Sequence, residues 1–319
     1  LIVNGLVSGE VENYVYFGVL AGVNNGKIEY TKETIIGSNS SVAIQGNNLY
    51  FGGLVGLNNG EIVGTNDNNK TTDDNNQTTE SGIKFTSFVE DQGAVSSVSI
   101  VASGFENGAL GGVVGLNNGK ISCVYATGTI LTSAEGTLNN VGGVIGENNE
   151  AEAKVQFELD GSEIEKITLT NKKTYLTKLK SSVQIKANNN VGGITGVDTF
   201  GIYSQCKYQI FAGSKFGIQA NNNVGGIVGN ANNTALEYCS TYSYRWDYSN
   251  LETIESQTTE LADISADSAV SGLIGFANST TGTIEAGKSL QNVVIKNSSV
   301  NAYVLGTTTA HALIGQRNE

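Results

Sequence analysis

The sequence predicts an all-β protein, a right-handed parallel β-helix (β-solenoid) of irregular coils, and three observations support this fold class. One glycine-rich motif recurs eight times along the chain, as the internal repeats of a solenoid do. The segments between its copies are short, rich in β-branched and aromatic residues, and separated by Gly, Asn, Asp and Ser turns. Helix signals are almost absent, and a β-sandwich would not require one motif at the same place in every repeat.

The repeated motif is Gly-Gly-aliphatic-aliphatic-Gly, usually followed by Asn and Gly and then by a β-branched residue. Its fullest copy runs from Gly111 to Gly128, and the copy that begins at Gly52 is nearly identical. Consecutive final glycines are 31 to 59 residues apart, which predicts coils that carry insertions on one side. We expect these glycines to permit positive φ and close backbone approach where the chain turns sharply. The final glycines of the eight copies, predicted to be structural turn glycines, are Gly22, Gly56, Gly115, Gly146, Gly196, Gly229, Gly275 and Gly315.

The segment from Gly111 to Gly128 resembles the GLUG repeat, whose pattern is Gly-Gly-Leu-Val-Gly, an Asn/Gly turn, an Ile and a Tyr-Ala-Thr-Gly ending. That repeat is found in large surface proteins of bacteria and protists, including adhesins and the non-catalytic regions of some IgA-cleaving peptidases. Partial copies extend the resemblance along the whole chain, although the copies at 192 and 225 lack the Asn-Gly-Lys-Ile segment. The resemblance implies a β-solenoid on the cell surface, and it implies no catalytic residues.

We predict a single β-solenoid over residues 1–319 that is interrupted by three insertions. Residues 64–82 are a polar loop of Asn, Asp and Thr, which has no apolar residues to bury. Residues 147–187 are rich in charge, and two alternating stretches within them predict a projecting hairpin, with a helix as the alternative for 172–180. Residues 241–268 combine an aromatic strip with an acidic loop.

The polar loop contains four acidic residues that could collect a calcium ion, Asp67, Asp73, Asp74 and Glu80. Their spacing does not match the calcium-binding helix-loop-helix, which needs alternating oxygen ligands and a central Gly, so a solvated loop is the preferred interpretation. An odd number of cysteines without a Cys-x-x-Cys pair argues against zinc. We therefore predict no metal and no cofactor.

The polar loop contains two Asn-x-Ser/Thr sequons, at Asn69 and Asn76. If the source glycosylates proteins, we expect these two positions to be modified first. Asn-Asn pairs recur beside the motif glycines, and two interpretations of them remain open. Equivalent amides can hydrogen-bond from coil to coil as a ladder, or Asn can serve simply because it tolerates left-handed turns.

Cys206 and Cys239 lie ten residues after the final glycines of consecutive copies, at Gly196 and Gly229. This equal offset predicts that they occupy equivalent places in neighbouring coils, about 4.8 Å apart. Either they are a stack of small apolar side chains in the core, or they form a disulfide.

Aromatic residues at even spacing follow Cys239, with Arg245 and Asp247 at the alternate positions. If this segment is a strand, its rings form one continuous strip that can stack on sugars or contact a partner. The alternative is that the strip packs on the solenoid's own flank, under residues 250–268. The predicted binding or interface strip is Tyr242, Tyr244, Trp246 and Tyr248.

Catalytic motifs are not recognisable in the sequence. His311 is the single histidine, and there is no His-Glu-x-x-His, Gly-x-Ser-x-Gly or phosphate-binding loop. Asp160, Glu163 and Glu165 are close in sequence, but nothing places them in a cleft as paired carboxylates. The sequence therefore predicts a protein that is not an enzyme, with a glycan-active β-helix enzyme as the rival class.

Composition constrains the partners. The net charge of −12 and a pI near 4.6 argue against nucleic acid, anionic membrane surfaces and heparin-like polyanions. No apolar run is long enough for a transmembrane helix, so membrane insertion is not predicted. The chain opens on Leu1 without Met, which suggests a processed protein or a piece of a longer one.

The sequence thus predicts a structural or adhesive repeat protein, extracellular or on the cell surface, which assembles into a filament or surface layer. The alternative is a glycan-binding or glycan-active β-helix protein. Neither end carries an obvious cap, so we expect head-to-tail self-association in which residues 1–17 of one copy pair with 303–319 of the next. A glycan or a host or cell-surface molecule is the other partner class that we expect.

Overall fold

The computed structural model shows a stack of parallel β-strands, which confirms the predicted β-helix. It describes residues 5–8, 14–30, 35–36, 41–45, 48–64, 84–85, 99–103, 107–132, 139–149, 154–160, 163–170, 176–245, 262–278 and 293–318. Within these ranges every regular element is a strand, and none is a helix.

The strands are short. In chain order the first nineteen are β1 (Gly5–Ser8), β2 (Val15–Gly18), β3 (Ala21–Asn24), β4 (Lys27–Tyr30), β5 (Ile35–Ile36), β6 (Ser41–Gln45), β7 (Leu49–Gly52), β8 (Val55–Asn58), β9 (Glu61–Gly64), β10 (Lys84–Phe85), β11 (Ser99–Ser103), β12 (Gly108–Gly111), β13 (Val114–Asn117), β14 (Lys120–Ser122), β15 (Tyr125–Thr132), β16 (Asn139–Gly142), β17 (Ile145–Asn149), β18 (Lys154–Asp160) and β19 (Glu163–Thr170). The others are β20 (Leu176–Thr177), β21 (Lys180–Lys186), β22 (Asn189–Gly192), β23 (Thr195–Thr199), β24 (Ile202–Ser204), β25 (Lys207–Ile210), β26 (Ile218–Gln219), β27 (Asn222–Gly225), β28 (Val228–Asn232), β29 (Ala235–Glu237), β30 (Ser240–Ser243), β31 (Ile264–Ala266), β32 (Ser268–Ser271), β33 (Ile274–Asn278), β34 (Val294–Lys296), β35 (Ser299–Asn301), β36 (Val304–Gly306), β37 (Ala310–His311) and β38 (Ile314–Arg317).

Four parallel sheets run along the stack. Sheet A follows the order β1-β6-β11-β15-β21-β25-β30-β35 and is widened by β5, β10, β26, β31 and β36. Sheet B is β2-β7-β12-β16-β22-β27-β32-β37, and sheet C is β3-β8-β13-β17-β23-β28-β33-β38. Sheet D is β4-β9-β14-β20-β24-β29-β34. The chain passes through A, B, C and D in turn, so we number coils 1 to 8 by their sheet B strands, from β2 to β37.

The repeated motif forms the corner between sheets B and C. In coil 3, β12 ends at Gly111, and β13 begins three residues later at Val114. Register places Gly111 beside Gly52 of coil 2 on one side and Gly142 of coil 4 on the other. The irregular spacing of the motif in sequence therefore becomes a regular column in space, because the extra residues lie in other parts of the coil.

Close backbone approach explains the motif glycines. A Cβ atom added to Gly111 would lie 1.9 Å from the carbonyl oxygen of Val114, across the corner. A Cβ added to the last glycine of a copy meets the sheet B backbone of the preceding coil, as at Gly196, where the amide nitrogen of Val141 is 2.5 Å away. Neither glycine has a positive φ. Of the two glycine properties that we considered, the corner uses the missing side chain rather than the left-handed conformation.

Left-handed backbone occurs instead at the corner between sheets D and A, and it is supplied there by residues other than glycine. The residue after each D strand has a φ between 50° and 58° in five consecutive coils. A single residue in this conformation changes the direction of the chain at the corner without a long loop. The residues in this column are Cys123, Lys178, Gln205, Tyr238 and Asn297.

Aliphatic columns fill the interior. In coils 2 to 7 the two residues between the motif glycines are fully buried, as Val113 and Val114 are in coil 3, whereas Leu20 and Leu313 of the two end coils are exposed. Phe17 stacks on Phe51 of the next coil, with ring centroids 5.4 Å apart. Because equivalent side chains in adjacent coils lie about 4.8 Å apart, each column is a continuous apolar stack. Such stacks make every coil depend on its neighbours for burial.

The insertions behave differently from one another. β18 and β19 form an antiparallel hairpin between sheets C and D of coil 4, and they contain the two alternating stretches of the sequence. Residues 176–186 are not part of an insertion, because β20 and β21 belong to sheets D and A. The helix considered for 172–180 is contradicted where the structure describes it, since Leu176–Thr177 is a strand. Most of the polar loop 64–82 and of the acidic loop in 241–268 lies outside the described residues.

Candidate binding face

The outer face of sheet A carries the described part of the predicted aromatic strip. In β30, Thr241 and Ser243 point into the core and are almost fully buried, whereas Tyr242 of that strand and Tyr244, directly after it, face solvent with 40% and 50% exposure. This alternation is the one expected for a strand. Trp246 and Tyr248 lie outside the described residues, so the strip is described here only as far as Arg245.

The two tyrosines belong to a larger aromatic platform that spans two coils. The rings of Tyr242 and Tyr244 have centroids 4.5 Å apart, and Phe211 of coil 6 stacks on Tyr244 at 6.3 Å with an interplanar angle of 19°. The Gln209 side-chain amide donates a hydrogen bond to the Tyr244 hydroxyl over 3.3 Å. Phe211 and Gln209 were missed in the sequence. Phe211 precedes Tyr244 by 33 residues, and Gln209 precedes Tyr242 by the same number. Because 33 residues also separate Cys206 from Cys239, this spacing is the signal that could have placed Phe211 opposite Tyr244.

Arg245 ends the exposed strip by turning away from solvent. Its guanidinium forms an ion pair with Asp263 at 3.2 Å and donates to the carbonyl oxygen of Ala262 at 2.9 Å. The other Asp263 carboxylate oxygen accepts a hydrogen bond from the backbone amide of Tyr303 at 2.8 Å. Both charged side chains are nearly fully buried. Because Arg245 precedes and Asp263 follows the segment 246–261, the pair joins the two ends of this insertion on the flank of the solenoid.

A buried amide ladder runs through coils 1 to 5 beneath sheet C. Each side-chain amide donates to the carbonyl oxygen of the equivalent residue in the next coil, over distances of 2.8 Å from Asn24 to Asn58, from Asn58 to Asn117 and from Asn117 to Asn148. Asn148 donates in turn to Asp198 at 2.7 Å. All the donors point in the same direction along the stack, so the ladder has a polarity and ends at a carboxyl group.

Asp198 closes the ladder with a complete set of hydrogen bonds. Besides Asn148, it accepts from the Tyr203 hydroxyl at 2.7 Å, the Gly201 amide at 3.0 Å and the Thr234 hydroxyl. Complete burial raises its pKa above the usual range, although these hydrogen bonds act in the opposite direction. The next coil has Ala231 at the equivalent place, so the ladder gives way to an apolar column. With no exposure to solvent, this carboxyl is a structural group and not a ligand site.

A second set of amide ladders lies on the outside. Asn118 donates to Asn59 at 3.0 Å, and Asn59 donates to Asn25 at 2.9 Å. On sheet B, Asn223 donates to Asn190 at 2.8 Å, and both residues are left-handed, with φ near 55°. The two interpretations of the Asn pairs are therefore both present, because one residue provides the turn and its side chain joins the ladder.

Cys206 and Cys239 are buried, free thiols at equivalent places in coils 6 and 7. The sheet D strands that precede the two cysteines pair in register, with Ser204 opposite Glu237. The sheet A strands that follow them do so as well, with Lys207 opposite Ser240. The structure thus contains the stack and not the disulfide. Burial raises the pKa of the Cys206 thiol well above its ordinary value, which keeps it protonated and unreactive.

A second aromatic cluster, which the sequence reasoning missed, lies where the outer faces of sheets B and C meet. The Tyr50 ring lies 5.5 Å from that of Tyr16 and 5.3 Å from that of Tyr14. Its hydroxyl donates a long hydrogen bond of 3.4 Å to Glu147. Burial raises the pKa of both Tyr50 and Glu147. Tyr50 is almost fully buried, so this cluster is chiefly a packing feature of the corner.

The described part of the chain contains no group of three His, Cys, Asp or Glu side chains arranged to hold a metal ion. His311, the single histidine, is exposed in β37. Asn69 and Asn76, the expected glycosylation positions, lie outside the described residues. Within those residues there is also no helix with the length and apolarity of a membrane span.

The sequence matches no protein-family model, and neither a curated protein nor a solved structure shows significant similarity to it.

Proposed function

We propose that this chain is a structural and adhesive repeat protein that works outside the cell or on its surface. The observation that carries the proposal is the continuous register of sheets B and C through all eight coils, reinforced by amide ladders inside and outside. Each coil is held by backbone hydrogen bonds, apolar columns and side-chain amides at once. A stack with such redundant contacts is suited to holding a surface at a fixed distance and orientation.

The adhesive part of the proposal rests on the aromatic platform of Phe211, Tyr242 and Tyr244. Outward side chains of a solenoid contribute little to its core, so exposed rings in contact with one another are not required for folding. Tyrosine provides a large apolar surface and a hydroxyl at a small cost in side-chain entropy, which is why it is frequent in contact sites. The platform is therefore the surface that we expect to contact a glycan or a cell-surface molecule.

The direct test is an adhesion assay with purified protein immobilised on beads. We expect the parent chain to retain cells or cell-wall material, and the double variant Tyr242→Ala/Tyr244→Ala to retain much less. The matched control is Tyr238→Ala, because Tyr238 is also exposed but lies at the corner between sheets D and A, in no ring contact among those found here. Equal retention by the parent and the double variant would exclude the platform, and no retention by the parent would remove the adhesive proposal.

Self-association is the second part of the proposed role. A solenoid grows by repeating one kind of interface, and copies that add to one another through the same interface form filaments rather than closed rings. We expect sedimentation velocity at increasing protein concentration to show growing species, and electron microscopy to show elongated particles. A single monomeric species across the whole concentration range would contradict filament formation while leaving the adhesion assay unaffected.

A further inference from the structure

The outer face of sheet A has a charge opposite to that of the chain as a whole. The five sheet A strands β15, β21, β25, β30 and β35 contain no Asp or Glu, but they contain Lys180, Lys186 and Lys207. The complete chain, in contrast, carries 30 acidic and 18 basic residues. This local excess of positive charge lies on the same face as the aromatic platform.

Two of these lysines are direct neighbours. Register places Lys180 of coil 5 opposite Lys207 of coil 6, at the separation of adjacent strands, about 4.8 Å. Like charges directly opposite one another destabilise a sheet. The ammonium group of Lys180 lies over the ring of Tyr125, 4.9 Å from its centroid, which offsets part of that cost. Lys207 is exposed and makes no ion pair with any residue that the structure describes.

The lysine pair is close to the aromatic platform. Gln209 is two residues beyond Lys207 on β25, roughly 7 Å along the strand, and it lies opposite Tyr242 of β30. A sugar ring stacked on Tyr242 and Tyr244 would therefore have the Gln209 amide at its edge and the ammonium group of Lys207 within reach. Stacking surface, amide and cation are the three elements that recognise a sugar with an acidic substituent.

We propose that the outer face of sheet A in coils 5 to 7 binds an anionic saccharide, one that carries carboxylate or sulfate groups. This proposal rests on the adhesive function above and names its ligand class. The rings stack on the faces of the sugar, Gln209 hydrogen-bonds a hydroxyl, and Lys207 and Lys180 pair with the acidic groups. The net charge of −12 had argued against polyanions, but that argument treats the charge as uniform, whereas the five sheet A strands named above contain lysines and no acidic residue.

The rest of the surface limits the length of the ligand. Acidic and basic side chains balance in the described strands of sheet D, so a polyanion that wraps beyond sheet A meets no net positive charge there: Glu29, Glu61 and Glu237 stand against Lys27, Lys120 and Lys296. A saccharide that lies along one face avoids these carboxylates. Nucleobases also stack on tyrosine rings. The choice of a saccharide therefore rests on the Gln209 amide beside the rings, which can hydrogen-bond a sugar hydroxyl, and an oligonucleotide is the competing ligand in the test.

Titration calorimetry with three probes tests the proposal: a sulfated chondroitin hexasaccharide, the neutral chitohexaose and an oligothymidylate of similar charge to the first. We expect the sulfated probe to bind at least tenfold more tightly than either of the others. Its affinity should fall as salt is raised, since the Debye length shortens from about 10 Å at 0.1 M to about 3 Å at 1 M.

Variants then assign the binding to the face. Lys207→Gln should weaken binding of the sulfated probe about two- to fivefold, the range for an exposed ion pair. Tyr242→Ala/Tyr244→Ala should weaken it about tenfold. The matched control is Lys120→Gln, because Lys120 is on sheet D, 3.9 Å from Glu61, and its loss should change nothing. Circular dichroism confirms that each variant is folded.

Each outcome has a distinct meaning. Equal binding of chitohexaose, or equal effects of Lys207→Gln and Lys120→Gln, would overturn the acidic ligand class while leaving adhesion through the tyrosines in place. Equal binding of oligothymidylate would overturn the choice of a saccharide. If the sulfated probe does not bind at all although the bead assay shows adhesion through Tyr242 and Tyr244, this inference fails and the proposed function stands.

Discussion

Removal of one side chain from the buried amide ladder should destabilise the solenoid far more than removal of its exposed neighbour. Asn117 has no exposure to solvent and lies at the centre of the ladder, whereas Asn118 belongs to the outer ladder. The two residues are adjacent, so the variants Asn117→Ala and Asn118→Ala share the same backbone, the same coil and the same change of side chain.

The magnitude follows from the hydrogen bonds of each residue. Asn117 donates to Asn148 at 2.8 Å and to the Gly119 carbonyl at 2.9 Å, and it accepts from Asn58 at 2.8 Å and from the Gly119 amide at 3.3 Å. At a net value of about 1 kcal/mol for each, with partners left buried and unpaired, Asn117→Ala should cost about 3–5 kcal/mol. Asn118 donates one solvent-facing bond to Asn59, so its loss should cost about 0.5–1 kcal/mol.

The assay is thermal and urea unfolding followed by far-ultraviolet circular dichroism. For a chain of this size, we expect Asn117→Ala to lower the midpoint temperature by roughly 5–15 °C and Asn118→Ala by no more than about 4 °C. Because a solenoid can unfold in parts, the midpoints of the two variants are to be compared with each other and not converted separately to free energies.

The reasoning would be refuted if the two variants had the same midpoint. That result would mean that the buried hydrogen bonds stabilise the fold no more than the outer ones, whose groups can bond to water instead. Asn117→Leu extends the test, since an apolar side chain of similar volume fills the space but restores no hydrogen bond. The melting temperature of Asn117→Leu should remain well below that of the parent, because the side-chain amide of Asn58 and the side-chain carbonyl oxygen of Asn148 stay buried without their bond to residue 117.

Three other predictions follow from buried groups. Burial raises the pKa of Asp198 above its usual value of 3.8, so between that value and the raised pKa the folded chain holds a proton that the unfolded chain has lost. The free energy of unfolding should therefore fall as pH rises from 3.8 through the raised pKa, and Asp198→Asn should flatten the pH dependence of the melting temperature. Asp263→Ala removes the carboxylate that pairs with the buried Arg245 cation and should cost about 3–5 kcal/mol in urea unfolding, whereas a loss below about 1 kcal/mol would mean that water reaches the site. Cys206 and Cys239 should resist a thiol reagent in the native protein and react fully in urea; rapid native labelling at either position would contradict their burial.

The number of coils could be predicted from the sequence because the motif is a local requirement of each coil. At the corner of coil 3, a Cβ on Gly111 would lie 1.9 Å from a backbone oxygen, and glycine occupies the same place in the first six coils. The last two coils have Ser271 and His311 there. The alternation that places Tyr242 outside and Thr241 inside is likewise a property of one strand. The offset of Cys206 and Cys239 from their motifs gave their places in neighbouring coils for the same reason.

The motif did not reveal which of its glycine properties the corner uses. Positive φ and close approach are both compatible with a glycine in a sequence, and only the position of the preceding coil distinguishes them. The left-handed residues at the other corner, such as Cys123 and Lys178, carry no sequence signal because their types differ from coil to coil. Their conformation is imposed by the strands on either side.

Contacts across the insertions were decided by the tertiary structure. Asn148 of coil 4 meets Asp198 of coil 5, and Arg245 meets Asp263 within coil 7, across insertions of irregular length that hide these pairings in the sequence. The charge of the chain, −12 in total, also says nothing about where each sign lies. Residue types in the sequence reflect the backbone conformation and burial that each turn and strand requires. The stacking of coils determines which side chains share a column, a face or a buried hydrogen bond. That stacking placed lysines and aromatic rings together on the outer face of sheet A.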